Sequence, residues 1–131
     1  MKKIALKFAS VIALTLLAQT TQASDLVVIA NASVSLSSSE VRDVFLGDKQ
    51  FAGSTKLIPV DNSAAQENFL SKVLQISNSK YASTWTKKAF RDGLTAPAVK
   101  SSDAEVIEFV KRTKGAVGYV SGSPSGVNIV R

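Results

Sequence analysis

The sequence predicts an α/β domain with a small mixed or parallel sheet flanked by helices. Three observations carry this. Short β-branched runs alternate with stretches of helical periodicity along the chain. Two S-x-x-E boxes and a row of well-placed glycines mark where helices start and stop. No repeat and no linker divides the sequence after residue 23.

The chain begins "MKKIALKFASVIALTLLAQTTQA". Lys2, Lys3 and Lys7, an apolar run from Phe8 to Ala18 and the small-residue ending Thr21-Gln22-Ala23 follow the three-part pattern of a secretory signal peptide. The apolar run is shorter than the roughly 20 residues of a membrane span. Residues 1–23 are therefore expected to be cleaved, leaving residues 24–131 as one exported, periplasmic domain. The leader holds three of the 16 Lys and Arg and none of the 10 acids, which leaves a net charge of +3. Thirteen scattered cations do not form the clustered patch that nucleic acid requires.

Each element has its own signal. Asp25–Asn31 ("DLVVIAN") reads as a buried strand. Ser37 and Glu40 form a capping box, Leu36 and Val41 a hydrophobic staple, and Gly47 a stop for the helix between them. Lys56–Val60 reads as a strand, with Pro59 requiring an edge or a missing neighbour at that end. Asp61-Asn62-Ser63 is a polar turn, and Ser63 with Gln66 makes a box opening a helix with Ala65, Phe69, Leu70, Val73 and Leu74 on one side. Lys80–Arg91 is expected as a helix with Tyr81, Trp85 and Phe90 inward, ending at Gly93. "LTAPAVKS" reads as a loop. Ser102 and Glu105 open a last helix, closed at Gly115. Ala116–Val120 and Val127–Val130 read as strands around the turn "SGSPSG".

Composition excludes more chemistry than any motif suggests. The chain has no Cys and no His, which removes Cys-His and Ser-His-Asp nucleophilic sites and the usual zinc sites. Ser77-x-x-Lys80 matches the S-x-x-K of serine acylases, but its companions S-D-N and K-T-G are missing, and helix capping accounts for the same serines. Asp43, Asp61, Glu67, Asp92 and Asp103 are scattered and read as solvated surface acids, not as a catalytic pair. Gly115 and Gly118 in "KGAVGYV" read as a helix stop and a point of close approach, since no helix follows to make a nucleotide loop. The expectation is a protein without enzymatic activity, cofactor or metal.

Ligands of open α/β sheets gather where strands end and helices begin. Two such transitions are present, Asn31–Ser35 and Asp61–Ser63. A helix N-terminus favours anions through its exposed N–H groups and its dipole. Candidate ligand-binding residues are Asn31 and Ser33 at the first transition, and Asn62, Ser63, Ala64 and Ala65 at the second. Capping without a ligand explains the second turn equally well, and Asp61 sets a negative charge beside it.

Several stretches together resemble a known family. "LSSSEVRDVFLGDKQFAGSTKLIPVD", "ENFLSKVL", "YASTWTKKAFRDGLTAP" and "GAVGYV", in this order, are similar to the small phosphate-binding-protein-like family. Its members are exported relatives of the solute-binding proteins of bacterial phosphate ABC transporters. The resemblance covers nearly all of residues 24–131 and implies a single lobe of a type II periplasmic-binding-protein-like fold. The transport proteins hold phosphate between two lobes, and their turn after the equivalent of Val60 carries an arginine and a Ser-Gly-Thr run. Here the turn is Asp61-Asn62-Ser63-Ala64-Ala65, which keeps Ser63 and a bare helix start. The implied function is weak binding of phosphate or a similar small anion. The alternative is a protein-interaction or sensory module that kept the fold and lost the ligand. The partners open to it are the anion, a membrane transporter or sensor protein, and a second copy forming a homodimer.

Overall fold

The computed structural model describes residues 25–131; the leader at 1–23 lies outside the described residues. Seven strands and four α-helices follow in order: β1 (Leu26–Ala30), α1 (Val41–Phe45), β2 (Phe51–Ala52), β3 (Thr55–Lys56), β4 (Ile58–Asn62), α2 (Gln66–Phe69), α3 (Asn78–Asp92), β5 (Ala98–Lys100), α4 (Asp103–Arg112), β6 (Ala116–Ser121) and β7 (Asn128–Val130). A 3₁₀ turn at Ser38–Glu40 leads into α1, and a π turn at Leu70–Leu74 extends α2. No described helix is long and apolar enough to cross a membrane.

Five strands form one mixed sheet in the order β5-β4-β6-β1-β7. β4 runs parallel to both β5 and β6, and β1 is antiparallel to β6 and β7. The chain crosses from β4 through α2 and α3 to β5, then through α4 to β6. Strand alternation sends successive side chains to opposite faces. Val28, Ala30, Val117 and Tyr119 point to the layer of α1, α2 and α3, where they meet Phe45, Phe69, Tyr81 and Trp85. Ile29, Val60, Ala116 and Val120 point to Val106 and Val110 of α4 on the other face. Two cores therefore sandwich one sheet.

Local signals account for most boundaries. The Glu40 carboxylate accepts from the Ser37 N–H at 2.9 Å, so its half of the first box forms; this bond and nearby Lys49 hold Glu40 below the usual carboxylate range. Ser77 Oγ and Ser102 Oγ accept from the N–H groups of Lys80 and Glu105 and cap α3 and α4. Pro59 sits where its geometry allows. β5 covers only Val60–Asn62, so the first turn of β4 has a strand partner on the β6 side alone. Gly118 lets α4 approach closely, because a Cβ there would lie 2.6 Å from Val106 Cγ1.

Three expectations are corrected. Phe90 faces solvent at 95 % exposure and not the core. At 100° per residue it lies half a turn from Tyr81, whereas Trp85, four residues on, shares the inward face. "APAVK" contains β5, a three-residue exposed strand whose apolar content is too slight to mark it in sequence. The Ser63–Gln66 box does not form: α2 is capped at Ala65 with no side-chain hydrogen bond.

Candidate functional site

The parallel strands β4, β5 and β6 end on one edge of the sheet, where α2 and α4 both begin. Asn62, the last residue of β4, is fully buried and organises this edge. Its Nδ2 donates to Asp103 Oδ1 at 2.7 Å and to the Tyr119 carbonyl at 2.9 Å. Its Oδ1 accepts from the Ala64 N–H at 3.0 Å, and its carbonyl accepts from the Ala65 N–H at 3.0 Å. This side-chain turn takes up the first N–H groups and delays the helix to Gln66. Ser63 donates its N–H to the Lys100 carbonyl at 2.9 Å, and its hydroxyl lies 3.5 Å from the Ser101 carbonyl. Ser63 and Ala64 are exposed, and Ala65 is buried behind them.

Beneath the turn lies a cluster the sequence did not single out. Asp61, expected as a surface acid, is 2 % exposed. The Tyr119 hydroxyl donates to its Oδ1 at 2.7 Å and the Tyr81 hydroxyl to its Oδ2 at 2.8 Å. Tyr119 also stacks on Phe69, with ring centroids 3.8 Å apart. Burial raises the Asp61 carboxyl above its ordinary value, and the two phenols only partly offset this by favouring the ionised form. Burial together with the nearby carboxylate raises both tyrosines, which therefore remain neutral donors. Strand parity is the physical reason for the correction. Val60 points to α4, so Asp61 must point into the opposite core. It is thus turned inward, away from the space in front of Ser63.

α4 serves its own N-terminus. Asp103 Oδ2 accepts from the Ser121 N–H at 3.3 Å, and Glu105 Oε1 accepts from the Ser101 N–H at 3.0 Å. That bond is the main cause holding Glu105 below the usual carboxylate range. Two carboxylates therefore stand on one shoulder of the edge and weaken its attraction for an anion.

Of the six candidate residues, the structure brings together Asn62, Ser63, Ala64 and Ala65. Asn31 and Ser33 lie at the other end of the sheet. Because β1 is antiparallel to β6, Ala30 pairs with Val117 near the start of β6, while Asn62 bonds to Tyr119 further along. At about 3.3 Å per residue the separation along β6 is several ångströms before the turns diverge in opposite directions. Asn31 Nδ2 donates to the carbonyls of Val110 and Lys111 at 2.8 and 3.1 Å, closing the end of α4. Ser33 donates its N–H and hydroxyl to Asn31 Oδ1 at 2.9 and 2.7 Å. These two residues tie a helix end to a strand start. The expected convergence assumed a shared strand direction, which hydrophobic patterning does not encode.

No family model and no curated protein matches the sequence. Solved structures do match. A phosphate ABC transport receptor from Vibrio cholerae superposes with a TM-score of 0.51 at 15 % identity, over 82 % of this chain and 46 % of that one. PstS from Borrelia burgdorferi superposes with a TM-score of 0.56 at 16 % identity, over the same shares of each chain. The chain thus has a phosphate-binding-protein-like fold and spans less than half the length of these receptors.

Proposed function

We propose that this chain is an exported, non-enzymatic, solute-binding-like protein that takes a small phosphate-like anion weakly at the Asn62–Ala65 turn. The observation that carries the reading is the start of α2 at the carboxyl edge of the parallel strands, where the N-cap Ala65 has no side chain to cap the helix and the small residues Ser63 and Ala64 are exposed in front of it. The likeness to the Vibrio cholerae protein described as a phosphate transport receptor supports the ligand class. Export rests on the leader pattern in residues 1–23. Mass spectrometry of protein exported by a Gram-negative host should give a chain starting at Ser24, and an intact Met1 would defeat that part.

The weakness follows from counting donors. The Asn62 side chain, both tyrosines and the N–H groups of Ser63, Ala64 and Ala65 are committed to the fold, which leaves the Ser63 hydroxyl and the backbone at the start of α2, and no arginine stands in the turn. Each hydrogen bond at a wet, one-sided site adds about 0.5–1.5 kcal/mol net, against several kcal/mol of association entropy. Calorimetric titration of the monomer should give a phosphate dissociation constant no tighter than about 1 mM, near 4 kcal/mol. At ten times that concentration the stability gain is about 1.4 kcal/mol. A micromolar constant from a confirmed monomer would show that the site holds donors beyond these. Tight capture would need a second chain closing the edge, whether another copy or a transporter component.

A second reading, a protein-interaction or sensory module, is favoured by the same commitment of polar groups and by the exposure of Phe90. The melting temperature separates the two: no rise at 10 mM phosphate or sulfate supports the module and removes the anion.

A further inference from the structure

A second concavity opens at the other end of β4. β5 covers β4 only from Val60 onward, and the segment from Gly93 to Pro97 passes the uncovered Ile58 and Pro59. The cleft left between them measures about 370 Å³, within the range of small-molecule sites. Buried Trp85 and Leu57 form its floor, and half-buried Leu94 and Pro97 its wall. Lys49 and Lys56 also line it, and no acidic residue does.

The polar groups here are distributed in a way that selects a ligand. Trp85 spends its Nε1–H on the Phe45 carbonyl at 3.0 Å, so its ring offers the cleft apolar surface without an unpaired donor. Lys49 shares its charge with Glu40 at 3.5 Å. Lys56 is exposed, lies 5.6 Å from the Phe51 ring and makes no ion pair among the described residues. An apolar cleft with Lys56, free of any ion pair among the described residues, in its lining suits a molecule with an apolar body and one anionic head. A cation would be repelled, and a bare inorganic anion would leave the apolar floor uncovered.

We propose that this cleft binds a small organic carboxylate with an aromatic or branched aliphatic body, its head group directed to Lys56. The site shares no residue with the Asn62–Ala65 turn and does not depend on anion binding there. Trp85 is the only tryptophan of the chain, so its emission reports occupancy directly. The test titrates the intact protein with 3-phenylpropionate, 3-phenylpropionamide and inorganic phosphate.

3-Phenylpropionate should change Trp85 emission saturably, with a dissociation constant below about 1 mM. The neutral amide should bind two- to fivefold more weakly, the discrimination of about one surface charge. Lys56→Gln, at an exposed position, should keep the melting temperature, remove that preference and leave amide binding unchanged. Phosphate should leave the emission unchanged, which keeps this result separate from the fate of the turn. Absence of a saturable response to 3-phenylpropionate, equal binding of acid and amide, or an unaltered preference in Lys56→Gln would each overturn the proposal.

Discussion

Gly115→Ala is expected to destabilise the protein by about 2–5 kcal/mol. Gly115 has φ +86°, a region that costs an L-residue roughly 1–2 kcal/mol. A Cβ at this position would also stand 2.0 Å from the Lys56 carbonyl oxygen, an impossible contact with backbone that has little freedom to retreat. The Gly115 carbonyl accepts from the Ile58 N–H at 2.8 Å, and its N–H donates to Ser33 Oγ at 3.3 Å, so both sides of the contact are held. Relieving such overpacking costs a further 1–3 kcal/mol or so. Gly53→Ala is the control, since Gly53 has φ +62° and open space around it. Urea unfolding should show the Gly53 variant losing only the conformational part. Equal losses in the two variants would show that the Lys56 carbonyl moves freely and that the tie between β3, β4 and β6 is loose.

Removing the buried carboxylate should cost a comparable amount. Asp61→Ala leaves the Tyr81 and Tyr119 hydroxyls buried without their acceptor, at about 1–3 kcal/mol each. Relief from burying a carboxylate offsets part of this, so a net loss of about 2–4 kcal/mol is expected. Asp61→Asn keeps an acceptor oxygen and should lose less. The two forms also differ in pH dependence. Because burial raises the Asp61 carboxyl in the folded state, the folded protein holds this proton more tightly than the unfolded chain. Its contribution is fully present below the ordinary value of 3.8 and is lost as pH rises through the raised folded value. Glu40 and Glu105, whose carboxyls are lowered, contribute with the opposite sign and are common to both proteins. Relative to wild type, Asp61→Asn should therefore gain stability as pH rises above 3.8 toward neutrality in urea unfolding. A difference that stays constant over that range would mean that Asp61 is not destabilised by its burial.

The sequence carried most of the layout because local signals and the fold agree. The serines at 77 and 102, the apolar stripes of α3 and α4 and the glycines after them name their elements without tertiary help. The short hairpin of β2 and β3, turning at Gly53-Ser54, is not among the expected elements, and the single strand expected over Lys56–Val60 is divided at Leu57 between β3 and β4. What stayed hidden depends on strand direction and parity. Nothing in "DLVVIAN" distinguishes a parallel from an antiparallel neighbour, and that choice sends Asn31 and Ser33 away from the turn. Nothing in "IPVDN" announces that the aspartate, one residue past Val60, must enter the aromatic core. The expected turn Asp61-Asn62-Ser63 lies one to two residues early, because Asp61 and Asn62 belong to β4 and the chain turns at residues 63–65; the fully buried Asn62, not Ser63, takes up the turn's N–H groups and joins β4 to α4 and β6 at the same time. A single residue serving three elements cannot be read from the spacing around one helix.

The central claim is that a phosphate-like anion is received at the start of α2, by the Ser63 hydroxyl and the N-terminal backbone of the helix. The most direct measurement is a ¹⁵N-resolved NMR titration of the protein with phosphate, following each backbone amide. The amides from Ser63 to Asn68 should shift together and saturate in the millimolar range, while those of Asn31 and Ser33 stay fixed. Saturable shifts centred anywhere else, or no saturable shift at these amides, would contradict it.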